Sequence, residues 1–157
     1  MVKIDMYKQV IKTEVKIDKL IPGGFGLGTM KEGKKCLLLN SLPGEIVTEF
    51  SVTKNKSSYC EGIANKFDSI SPYRVLPQDD CFISTSPWQI LDFNYELLMK
   101  QKLIVEIFAE HGILIDVPEI RTNGQEYFYR NKMEYSLYFD KEKKKIFPAF
   151  LMQRPAQ

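Results

Sequence analysis

One histidine, one tryptophan and three cysteines in 157 residues leave few of the groups from which metal centres and activated nucleophiles are built. Cys36, Cys60 and Cys81 are far apart in sequence, odd in number, and show neither a Cys-x-x-Cys pair nor a Cys/His ligand spacing. Reduced, unpaired thiols are therefore expected, and no metal site. His111 has no partners that would make a triad, and its place at the end of a helical segment suits a C-terminal cap. No apolar run approaches the roughly 18 residues of a membrane span, and residues 1–16 alternate charges with single aliphatics, unlike a signal peptide. A folded cytoplasmic protein without membrane contact is expected. Charge of one sign is also lacking: the formal net charge is only +2, which by itself points to no polyanion partner.

What is present suits one ordinary domain or two small ones. Residues 1–70 carry 11 Lys/Arg against 8 Asp/Glu, and residues 71–157 carry 11 against 12, so the slight basic excess lies in the first half. Within residues 13–20, Val15, Ile17 and Leu20 stand among Glu14, Lys16, Asp18 and Lys19, close to the alternation of a half-buried strand. The glycine-rich stretch 22–28 reads as a loop, and Cys36-Leu37-Leu38-Leu39 as a buried strand. Leu42-Pro43-Gly44-Glu45 is a turn, and strands follow over 46–52 and 59–67, on either side of the polar tip 53–58. Short strands at this spacing predict a small β-barrel over residues 1–70.

Pro72 and Pro77 then break regular structure, and a domain boundary is placed after residue 70. A helix is predicted over about 94–111, with Leu97, Ile104 and Phe108 on one face beside Leu98 and Val105. Asp92 or Asn94 would cap its start and Gly112 would end it. Segments 127–139 and 146–151 read as a hairpin around the charged tip 140–145. One helix and one hairpin bury little surface, so residues 71–157 look incomplete, and the barrel is expected to fold without them.

Gly24-x-Gly26-x-Gly28 superficially matches an adenosine-cofactor turn, but such a turn must open a helix, and residues 29–35 lead into a strand. No GK[ST] sequence follows it, which excludes a phosphate-cradling P-loop. More suggestive are Lys31, Lys34, Lys35, Lys54 and Lys56, on loops adjoining the glycines, where they could meet RNA phosphate. Phe25 either stacks on a base or tucks under its own loop. The run 141–145 is a solvated tip or a phosphate contact, the former favoured.

The stretch Lys16-Ile17-Asp18-Lys19-Leu20-Ile21-Pro22-Gly23-Gly24-Phe25-Gly26-Leu27-Gly28 resembles the opening of the TRAM domain in bacterial rRNA and tRNA (uracil-5-)-methyltransferases. Leu42-Pro43-Gly44-Glu45 resembles the second landmark of that domain, and Ser71-Pro72-Tyr73-Arg74-Val75 its exit. Residues 95–102 resemble the helix that follows. Tyr129-Arg130-Asn131-Lys132-Met133-Glu134-Tyr135 resembles the first strand of the central domain. The resemblance covers nearly the whole chain in order. It implies a mainly β fold with an α+β part: a five-stranded, OB-like, RNA-binding TRAM barrel, then part of an α+β central domain in which Arg130, Asn131 and Lys132 lie near the target.

Two departures stand out. Many members hold an iron–sulfur cluster on four cysteines beginning Cys-x5-Cys-Gly-Gly-Cys. Here Asp79, Thr85 and Trp88 occupy three of those places, and one stray thiol, Cys81, cannot hold a cluster. A cluster-free branch is inferred, with Trp88 and its neighbours filling the space by apolar packing. The second departure is the absence of the Rossmann-like domain that in such enzymes binds S-adenosylmethionine and supplies a cysteine nucleophile. Residues 1–157 match neither part, so the chain is expected to bind RNA without catalysing methylation itself and without a cofactor of its own. The rival readings are a free-standing RNA-binding module and a protein-interaction barrel.

Overall fold

Alternation along the first strand sets the barrel. In the computed structural model, which describes residues 9–132 and 134–149, β1 (Val10–Ile21) points Val15, Ile17 and Leu20 inward and its charged residues outward. A register shift between Ile17 and Lys19 bends the strand, so that its first half pairs with β4 (Ile46–Asn55) and its second half with β2 (Phe25–Thr29). With β3 (Lys35–Leu39) and β5 (Tyr59–Ser69) the sheet closes in the order β1-β2-β3-β5-β4. The β3–β5 pair is parallel and every other pair in the barrel is antiparallel. This is the expected OB-like barrel, its core built on Val15, Ile17, Leu38, Val47, Phe50 and Ala64.

The glycine-rich stretch is not the loop that its composition suggests. Only residues 22–24 turn, and Phe25–Thr29 is a strand. Gly26 faces the interior, where a Cβ would lie 2.8 Å from Ile17 Cγ2 and clash with Ser41. The glycine is there for close approach of β2 to its neighbours, not for flexibility.

Beyond the barrel come α1 (Phe82–Thr85), a 3-10 turn (Pro87–Ile90), α2 (Phe93–Glu110) and the hairpin β6 (Ser136–Asp140) and β7 (Lys145–Ala149). Asp92 caps α2 by accepting from the Tyr95 amide at 3.0 Å, and Gly112 follows the helix at φ +74°. His111 Nδ1 lies 2.9 Å from the Ile107 carbonyl oxygen, within the last turn.

Two expectations need correcting. The helix turns Tyr95 and Met99 to the barrel, while Leu98, Ile104, Val105 and Phe108 of the predicted apolar stripe are exposed. The strand placed over 127–139 begins only at Ser136, because the five residues of β7 pair with Ser136–Asp140, starting from Ser136 opposite Ala149. Residues 150 and 151 of its predicted partner lie outside the described residues.

The end of β5 is where the chain leaves the barrel, but residues 71–92 pack straight back onto it. Ile83 joins Leu39 and Ile63, and Ile90 and Leu91 join Leu20 and Leu42. Tyr73 stacks on Tyr95 with ring centroids 3.7 Å apart, tying this covering segment to α2.

Candidate nucleic-acid interface

The strand registers give the barrel two different ends. At one, Thr29 pairs with Lys35, Lys35 with Tyr59, and Asn55 with Cys60. The β2–β3 loop 30–34 and the β4–β5 loop 56–58 therefore project side by side. Lys34 Nζ donates to Asn55 Oδ1 at 2.6 Å, joining this end across the two loops. All five lysines named from the sequence, Lys31, Lys34, Lys35, Lys54 and Lys56, are brought to this end.

Their partners differ. Lys31 pairs with Glu14 at 3.1 Å, both largely exposed, and Lys35 donates to Thr29 Oγ1 at 3.1 Å. Lys54 pairs with Glu61 at 2.9 Å and sits 5.3 Å from the Tyr59 ring centroid. Hydrogen bonding to Tyr59 and Glu61 raises its pKa above the ordinary lysine value, so it stays charged at neutral pH. The Lys56 ammonium is exposed and has no ionic partner among the described residues. Exposed pairs of this kind contribute little to stability and can be exchanged for phosphate.

Tyr59, half-buried on the outer face of β5, is the ring that stands with the lysines. Sequence reading missed it because its adjacency to Lys35 arises only from the parallel β3–β5 pairing, while the β4–β5 hairpin brings it to Lys54. Phe25 is elsewhere. It lies four residues from Thr29 along β2, about 13 Å at about 3.3 Å per residue, and packs half-buried against the Leu39, Ile63 and Ile83 cluster. Arg130, Asn131 and Lys132 are exposed in an irregular segment, and Lys132 pairs with Glu134 at 2.7 Å. Among the described residues no contact joins these three to the lysine-bearing end.

The opposite end is closed by a buried ion pair. Glu45, wholly inaccessible, accepts at Oε1 from Arg74 Nε (2.6 Å) and the Ser71 amide (3.1 Å), and at Oε2 from Arg74 Nη2 (2.7 Å) and the Leu42 amide (2.8 Å). Arg74 also donates to Asn40 Oδ1 and the Asn40 carbonyl and lies 4.9 Å from the Phe67 ring centroid. The turn Leu42-Pro43-Gly44-Glu45 and the exit Ser71-Pro72-Tyr73-Arg74-Val75 are thus two halves of one interaction.

Where relatives of the resembled family place cluster ligands, the donor set does not fit iron. Asp79 Oδ1 accepts from the Cys81 amide at 2.9 Å and from its thiol at 3.0 Å, and Oδ2 accepts from Gln89 at 2.9 Å. These bonds hold the Asp79 carboxyl below its ordinary pKa, the thiol bond contributing most. Thr85 donates to the Cys81 carbonyl, and Trp88 packs against the cluster of Leu20, Leu42, Ile90 and Leu91, its Nε1 buried without a hydrogen-bond partner. One thiol, already engaged by a carboxylate, gives no cluster site. The glycine stretch sits in the β1–β2 hairpin and opens no helix, unlike the turn of an adenosine-cofactor site. No helix of the described residues is long and apolar enough to cross a membrane.

No protein-family profile matches the chain. Among curated proteins, it is 26% identical over 124 residues to an uncharacterized RNA methyltransferase of Thermotoga maritima, covering 78% of this chain and 28% of that protein. It is 32% identical over 114 residues to one of Lactiplantibacillus plantarum, covering 69% of this chain and 24% of that protein. A third, from Caldanaerobacter subterraneus subsp. tengcongensis, is 29% identical over 134 residues, covering 83% and 29%. The chain thus spans about a quarter of the length of the relatives it matches.

Proposed function

We propose that this chain is the RNA-binding, N-terminal portion of a cytoplasmic, S-adenosylmethionine-dependent RNA (uracil-5-)-methyltransferase acting on rRNA or tRNA. The observation that carries the reading is the gathering of Lys31, Lys34, Lys35, Lys54 and Lys56 at the one end of the barrel that residues 71–92 leave uncovered. Small closed barrels offer their loops and outer strand face to oligonucleotides, and the names of the relatives supply the RNA. In this reading the TRAM domain is residues 1–70, and residues 71–157 belong to an incomplete central domain. Arg130, Asn131 and Lys132 would face the target uridine, and the methyl donor would bind in the remainder of the relatives' length. The chain's own residues hold phosphate. Lys56, Lys35 and Lys54 make the charged contacts, and the half-buried Tyr59 offers the exposed part of its ring face for stacking on a base. Phe25, held by packing, contributes less.

The test is titration of the chain against a labelled RNA hairpin at several salt concentrations. Neutralising Lys35 and Lys56 together should flatten the slope of log K against log salt by up to about 0.9 for each phosphate that is no longer neutralised, similarly for all sequences. Loss of base stacking costs about 1–3 kcal/mol, so Tyr59→Ala should weaken binding with little change of slope. Unchanged affinity in the lysine and Tyr59 variants would sink the assignment of this end.

A further inference from the structure

Cys36 and Cys60, distant in sequence, are direct register partners on the parallel pair β3–β5. Both are fully buried, and their sulfurs lie 3.2 Å apart in a single S–H···S contact. All three cysteines are free thiols, as the sequence leads one to expect, and the topology brings two of them together as a dithiol. Neighbouring strands stand about 4.8 Å apart, within the roughly 4.4–6.8 Å of Cα separation that a disulfide spans. Bond formation therefore requires rotation of side chains and no displacement of strands. The pair lies directly beneath the lysine-bearing end, since each cysteine follows a member of the Lys35–Tyr59 pair.

We propose that Cys36 and Cys60 are an oxidative modification site, a dithiol that hydrogen peroxide converts to an intrachain disulfide stapling β3 to β5 under the lysine-bearing loops. Cys60 attacks first: its sulfur bonds to one peroxide oxygen, the O–O bond breaks, and hydroxide leaves and is protonated to water. The resulting sulfenic acid is then attacked by the Cys36 sulfur. The S–S bond forms, the S–O bond breaks, and the departing hydroxide takes the Cys36 proton. The two sulfurs together lose two electrons to one peroxide, which becomes two waters. The order follows from the surroundings. With Cys36 as the donor in the sulfur–sulfur contact, that bond and the charge of Lys34 favour the thiolate on Cys60, at the cost of the 3.7 Å bond its thiol otherwise donates to the Lys35 carbonyl, whereas the same sulfur–sulfur bond and burial hold Cys36 protonated. Burial excludes bulky reagents, so the oxidant must be small and neutral and enter by local opening of loops 30–34 and 56–58.

The experiment uses the full chain with Cys81→Ser, a half-buried position, which leaves only the two core thiols. After peroxide treatment the chain is denatured and alkylated with iodoacetamide, with and without prior reduction. The expected result is no alkylation before reduction, two alkyl groups after it, a mass lower by two hydrogen atoms, and a cross-linked peptide pair containing Cys36 and Cys60. Two free thiols after treatment, or thiols oxidised beyond recovery by reductant, would overturn the proposal. Amide exchange in residues 30–36 and 55–60 should slow in the oxidised chain, and equal exchange in both forms would refute the staple. The inference rests on the proposed RNA role only for its consequence. Failure of both forms to bind RNA would defeat that role while leaving the disulfide standing.

Discussion

Removing the side chain of Arg74 should unfold this protein far more readily than its position outside the barrel suggests. Glu45 has no contact with solvent and accepts four hydrogen bonds, two of them from Arg74. In Arg74→Ala the carboxylate keeps only the Leu42 and Ser71 amides, and Asn40 loses two donors. Charge-assisted bonds contribute about 1.5–3 kcal/mol each, and breaking a buried pair by removing one partner costs about 3–5 kcal/mol, because the other charge is left without compensation. That is a large part of the roughly 5–15 kcal/mol available to a domain. At about 2–8 °C per kcal/mol for chains of this size range, Tm should fall by roughly 6 °C or more. Urea denaturation followed by circular dichroism should show the midpoint shift with an unchanged slope. Replacing both residues, as in Glu45→Met with Arg74→Met, should cost less than Arg74→Ala alone, since no charge is stranded. Lys100→Ala, which removes the surface pair with Glu96, is the control and should cost no more than about 0.5 kcal/mol. The reasoning fails if Arg74→Ala falls within about 1 kcal/mol of wild type and the double variant is additive.

Gly26→Ala should destabilise by about 1–3 kcal/mol through overpacking against Ile17 and Ser41, read as a lower Tm with the barrel's circular dichroism spectrum retained. Asp79, whose folded pKa is lowered, contributes stability that is complete above the ordinary Asp range and is lost as pH falls through the depressed value. Asp79→Asn should therefore be less stable at neutral pH, with the difference shrinking in acid, and equal acid limbs for the two proteins would refute this. Lys19 bridges β1 to Glu106 and Glu110 of α2 at 3.2 and 3.4 Å, a partly exposed pairing. Lys19→Met should cost no more than about 1 kcal/mol at low salt and almost nothing at high salt, measured by denaturation in each buffer.

Local pattern carried the strands whose alternation is clean, and it carried the capped helix, because Val15, Ile17, Asp92 and Gly112 act through their own neighbours in sequence. It failed where the cause is non-local. Gly26 reads as a loop residue until Ile17 and Ser41 are placed against it. The Lys35–Tyr59 neighbourhood and the Cys36–Cys60 pair become visible only when β3 and β5 lie parallel, a pairing that no hairpin signal announces. The exposed stripe of α2 was recognised as apolar, but periodicity does not say which of two apolar faces meets the barrel. The buried ion pair was legible in part, as two separate motifs without the bond that joins them.

A net charge of +2 would ordinarily argue against a polyanion ligand, and the asymmetry of the barrel answers that objection. At the covered end the Glu45–Arg74 pair is largely buried, and Glu45 accepts four hydrogen bonds from within the chain. At the other end five lysines stand against Glu14, Glu32 and Glu61, and their pairs are exposed or absent. Exchanging a solvent-screened carboxylate partner for phosphate costs little, whereas each condensed counterion released from RNA favours association. The local excess is small, so affinity from this end alone should be weak and steeply salt-dependent. In the proposed role such an end would supply orientation on RNA with modest affinity, which suits a portion amounting to about a quarter of the relatives' length.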